Sequence, residues 1–68
     1  MSSDVKAIKK FARRVRQLRL EKGLTQLDCF TDTKIHFGRI EQGKRDVSLT
    51  TIVKIADYFK ISVGELVD

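Results

Sequence analysis

Sixty-eight residues make one domain, and a single core in so short a chain contributes only about 3–5 kcal/mol. The formal charge of +5 and a pI near 9.7 disfavour an acidic partner and favour a polyanion, with plain solubility as the alternative reading. The lone Cys29 rules out an internal disulfide, and no apolar run is long enough to span a membrane.

The chain begins "MSSDVKAIKK", without the uninterrupted apolar segment of a secretory signal. With the single cysteine, this predicts a protein of the reducing cytoplasm. Cys29, within "LDCF", reads as a core residue rather than a nucleophile. Charge is uneven along the chain. Residues 1–22 carry +6, 23–33 carry −2, 34–45 carry +3 and 46–68 carry −2. A nucleic-acid footprint confined to the first two-thirds fits this distribution.

Val5, Ile8, Phe11, Ala12, Val15 and Leu18 recur at helical spacing and predict a first helix from about Asp4, its cap, to Lys22, stopped by Gly23. In "TQLD", Thr25 and Asp28 form a capping-box pattern that opens a short second helix, Gln26 to Phe30 or Thr31. "TDT" is expected to break it, because these side chains compete for backbone hydrogen bonds. Thr33 then caps a third helix, about Lys34 to Gln42, closed by Gly43. Ser48 caps a fourth, running to about Phe59 with Leu49, Ile52, Val53, Ala56 and Phe59 on its core face. Ser62 and Glu65 open a last turn with Val63, Leu66 and Val67. The expected fold is all-α, a compact bundle of five helices with short loops and a single domain over residues 1–68. Nothing clusters as a metal site around His36, and no nucleophile, base and orienting group come together. Neither an enzyme nor a cofactor is expected.

The second helix, a brief turn and the third helix follow helix-turn-helix logic. "RVRQLRLEKGLTQ", "FGRIEQGKR" and "SLTTIVKIADYFKISVGELV" resemble the Cro and phage-repressor type of regulator, the XRE family with its lambda-repressor-like fold. The resemblance covers about residues 8 to 67. It implies binding to double-stranded DNA and transcriptional regulation, most simply repression, by a homodimer whose recognition helix spans about residues 33–42. It implies base contacts from Lys34, Ile35, Gly38 and Arg39. Lysine and arginine donate to guanine O6 and N7, and isoleucine meets a thymine methyl. Ile35 is equally able to turn inward. Gly38 admits a close backbone approach or merely close packing. Gln26, Thr33, Gln42, Lys44 and Arg45 correspond to phosphate contacts. Arg19 and Glu41 resemble the family's internal ion pair.

The sequence departs from the family between Gln26 and Glu41, which are fifteen steps apart, about three fewer than usual. Cys29-Phe30 replaces the customary Leu-Ala, and "TDTK" replaces a glycine-containing turn. An unusual angle of the third helix is therefore expected. Once the core face of the fourth helix is assigned, Ile55, Tyr58, Ile61 and Val63 remain as a dimer patch, although Ile61 and Val63 equally suit the monomer core. Two other roles stay open. The same fold serves as an antitoxin or protein-interaction module with a protein partner, and the basic first helix suits a membrane surface, although its apolar stripe is better explained by the core.

Overall fold

A computed structural model describes residues 2–68. Five helices are present among the described residues: α1 (Ser2–Glu21), α2 (Gln26–Thr33), α3 (Phe37–Glu41), α4 (Leu49–Phe59) and α5 (Val63–Val67). They form one all-helical body of 33 × 21 × 21 Å, in which α1 packs on α3 and α5, α2 on α3, and α4 on α5.

The α1 stripe of Phe11, Ala12, Val15 and Leu18 is buried as its spacing requires. Val5 belongs to the same stripe but stays half exposed, and Asp4 lies within the first turn instead of capping it, because the helix already starts at Ser2. Gly23 ends the helix region at φ +70°, a conformation favourable only without a Cβ. The core joins Val15, Cys29, Phe37, Ile55, Phe59 and Leu66, each almost closed to solvent, with Phe37 edge-on to Phe59 at 6.0 Å. Burial pushes the Cys29 thiol pKa up, as expected for a packing residue rather than a reactive one.

Thr25 and Asp28 close their capping box through two bonds of 2.9 Å, and Ser62 with Glu65 closes the second at 3.0 and 3.1 Å. Ser48 caps α4 as the sequence suggests.

The middle of the chain departs from expectation. "TDT" does not break α2. The Thr33 hydroxyl donates to the Cys29 carbonyl, one turn back, at 2.7 Å, which is compatible with a helix. Asp32 accepts from the Tyr58 hydroxyl at 2.5 Å instead of from its own backbone. The helix ends only at Lys34, which adopts φ +64° and donates its N–H to Phe30 O at 2.7 Å. Thr33 therefore does not cap α3; its hydroxyl accepts from Ile35 N at 3.0 Å. α3 starts three residues later than the spacing implied, and Lys34, Ile35 and His36 form its connection to α2.

The core face of α4 is also rotated from the expected one. Ile55 is fully buried, whereas Leu49 is 70% and Val53 40% exposed. Ile55 therefore cannot belong to a dimer patch. Tyr58, Ile61 and Val63 are partly buried and pack against the same core, so the patch assigned to these four residues is not a free surface.

Candidate nucleic-acid interface

The site is built around the short α3. Phe37 and Ile40 anchor it inward, three residues apart, which turns Arg39 outward into solvent. Glu41, at its end, is bound twice by Arg19: Nε to Oε2 at 2.7 Å and Nη2 to Oε1 at 2.8 Å. A third bond runs from Arg19 Nη1 to the Leu24 carbonyl at 2.9 Å. Both side chains are nearly closed to solvent, 9% and 4% exposed. Glu41 raises the Arg19 pKa chiefly by accepting these hydrogen bonds, against the opposing effect of burial. The pair assigned by resemblance is thus present in geometry, and it fixes α3 to α1.

Gln26 belongs to the same cluster. Its Nε2 donates to Glu41 Oε1 at 3.2 Å, and its side chain lies over Gly38, where a Cβ would come within 3.2 Å of Gln26 Oε1. Gly38 is thus explained by packing: the missing side chain gives Gln26 its place. One amide hydrogen of Gln26 remains for another acceptor, at the exposed N-terminus of α2.

On the other side of α3 an open cleft of about 440 Å³ separates residues 33–40 from the start of α4. Four cations line it: Lys34, Arg39, Arg45 and Lys54, against the single acid Asp46. Ile35, Ile40 and Val47 supply its apolar wall, and Thr33, Ser48 and Thr51 its hydroxyls. Lys34 is positioned by an aromatic pair. Phe30 stacks on His36 with centroids 4.7 Å apart, and the Lys34 ammonium stands 5.7 Å from the Phe30 centroid.

Of the base-contact candidates, Lys34 and Arg39 are exposed and share the cleft, but Lys34 precedes α3 rather than lying on it. Ile35 is half-buried: it packs against the core and also lines the cleft. Among the phosphate candidates, Thr33 and Arg45 line the cleft. Gln42 lines a different groove, with Lys9 and Arg13, and Lys44 is exposed on the loop. The sequence reading missed Lys54. It sits in the mildly acidic C-terminal third, and only the packing of α4 beside the connection brings it to the cleft. The Phe30–His36 stack was missed as well; two rings six residues apart across a turn give no periodic signal.

Scans of family models, of curated proteins and of solved structures returned no match to this chain. Among the described residues no helix is long and apolar enough to cross a membrane. No group of His, Cys, Asp and Glu side chains among them is placed to hold a metal ion.

Proposed function

We propose that the chain binds double-stranded DNA sequence-specifically and regulates transcription in the cytoplasm, most simply as a repressor of the Cro and phage-repressor type. In this reading α2, residues 34–36 and α3 are a helix-turn-helix unit with a shortened middle. The observation that supports it best is the convergence of Lys34, Arg39, Arg45 and Lys54, from separate stretches of chain, onto one open cleft beside α3.

The short helix limits how bases are read. Five residues rise about 7.5 Å, roughly one and a half turns. Arg39 is then the base-reading residue on the helix, with Lys34 reaching in from the connection. Gly38 is committed to the chain's own packing and is left out of the base-contact set, whereas Ile35, half-buried on the cleft wall, keeps a face for a thymine methyl. Arg45, Lys54, Lys44 and Gln26 hold phosphates and set the register. One such unit reads half a site, so two copies act on two half-sites about one helical turn apart.

Selection from random duplexes, followed by titration of the selected sequence at several salt concentrations, tests this. The expected result is a preferred sequence with two related halves, and a steep loss of affinity with salt. About eight phosphate contacts by a pair would give a log–log slope near −7. A flat selection together with no measurable duplex affinity overturns the proposal.

A further inference from the structure

The cleft uses none of the charge carried by α1. Lys6, Lys9, Lys10, Arg13 and Arg16 are all exposed and, at helical spacing, fall on the face opposite the buried Phe11, Val15 and Leu18. Their row runs about 15 Å along the axis. None of the five is in an ion pair among the described residues. Instead, Lys6 with Lys10 and Lys9 with Arg13 set like charges one turn apart, which weakens a helix. The nearby acids are engaged or lie at the margin. Glu21 accepts from Gln17 at 3.1 Å, Glu65 accepts from Ser62 N at 3.1 Å, and Asp68 follows α5. A face kept only for solubility mixes both signs. This one keeps a single sign although its own helix is weakened by it.

We propose that this face of α1 is a second duplex-binding surface, reading no sequence, so that one chain holds two DNA segments together. The chemistry of the face selects that occupant. A helix that lies in a membrane surface needs a free apolar side, and the apolar side of α1 is buried in the core except for Val5 and Leu20 near its ends. Protein interfaces are anchored by aromatic side chains, and single strands stack on them; this face has none. A row of cations fits the repeated phosphates of a duplex backbone. Gln42 finds its place here: it lines one groove with Lys9 and Arg13, where Gly43 brings the end of α3 so close to α1 that a Cβ would lie 3.5 Å from Lys9 Cα. No residue lines both the cleft and the grooves of this face. α1 directs its cations away from the core on which Ile35, Ile40 and Val47 of the cleft wall pack. A duplex, stiff over about 150 bp, does not fold around a body 21 Å thick to occupy both. Bridging rests on the cleft holding the first duplex, whereas the α1 face is defined by its own charges.

A sandwich assay tests it. One duplex is fixed on beads, the full chain is added, and capture of a second, labelled duplex of unrelated sequence is measured. The wild type is expected to capture it. The triple variant Lys6→Gln, Lys10→Gln, Arg13→Gln is expected to capture less by about tenfold or more, having lost three phosphate contacts. It should keep the wild-type preference between selected and scrambled duplexes. It should also melt no lower than wild type, because the substitutions remove exposed like charges. A wild type that captures no second duplex, or a triple variant that captures as much as wild type, overturns the proposal. So does pelleting with phosphatidylserine vesicles in place of duplex capture, which assigns the face to a membrane. No capture beside an intact sequence preference defeats bridging alone. Capture that depends on the α1 cations beside a flat selection defeats the sequence-specific reading alone.

Discussion

Arg19 and Glu41 meet in a two-pronged ion pair, at 2.7 and 2.8 Å, that is almost sealed from water and ties the end of α3 to α1. Glu41 also accepts from Gln26, so one carboxylate organises both ends of the α2–α3 unit. Among the described residues no buried side-chain polar atom lacks a partner. Removing one member of the pair strands the other. Arg19→Ala is expected to cost about 3–5 kcal/mol, as much as the whole core of a chain this size supplies. Circular dichroism should show a chain largely unfolded at room temperature. A melting temperature within a few degrees of wild type would show the pair to be dispensable.

Lys34 occupies a left-handed conformation at φ +64° that costs a residue with a Cβ roughly 1–2 kcal/mol. Lys34→Gly should therefore raise stability by about 1 kcal/mol while removing a cation from the cleft and weakening duplex binding. Melting and binding titrations on the same sample should move in opposite directions. A loss of stability would mean that the ammonium over Phe30 outweighs the backbone strain.

Gly38 sets up a second such separation. Alanine there gains up to about 1 kcal/mol of helix preference. Its Cβ presses on Gln26 Oε1, at the far end of an exposed, flexible side chain that is able to shift. Gly38→Ala is thus expected to stabilise the fold modestly and, by displacing Gln26, to weaken duplex binding through the phosphate contact proposed for it. Unchanged binding would remove Gln26 from the phosphate set.

Arg39 and Lys54 line the same cleft but are expected to act differently. Arg39→Ala should lose about 1–3 kcal/mol of discrimination at one base position. Lys54→Ala should weaken all duplexes alike and make the log–log salt slope shallower by about 0.9 per copy. Competition between selected and scrambled duplexes, repeated across salt concentrations, reads both quantities. If both substitutions leave affinity and slope unchanged, the cleft does not face DNA.

The Tyr58 hydroxyl donates to Asp32, and this bond, with burial, raises the phenol pKa above its ordinary value of 10.0. A raised folded-state pKa means that the neutral form is favoured in the fold. The stabilisation is complete below pH 10 and is lost as pH rises from there through the folded-state value. Tyr58→Phe should cost about 1 kcal/mol at neutral pH and abolish this alkaline loss. Chemical denaturation at pH 7 and above pH 10 checks both. Equal alkaline sensitivity in the two proteins would assign the loss to other groups.

What the sequence by itself determined were the features governed by neighbours in the chain. The two capping boxes, the Ser48 cap, the turn at Gly23 and the buried stripe of α1 follow from residues within one or two helical turns of each other, so they are legible without a fold. The number and type of helices follow for the same reason.

Only the tertiary structure decided where α2 ends and α3 begins. Asp32 and Thr33 have the chemistry of helix breakers, because a short polar side chain competes for nearby backbone groups. In the fold Asp32 is engaged by Tyr58, twenty-six residues away, and Thr33 bonds one turn back, so neither competes. The rotation of α4 was decided in the same way. Its apolar stripe is wide enough for two core faces, and burial of Ile55 and Phe59 in the core with Phe37 selected one of them, leaving Leu49 and Val53 outside. Lys54 joins Lys34, Arg39 and Arg45 for the same reason: a cleft is defined by which surfaces pack together, and periodicity along one helix carries no record of its neighbours.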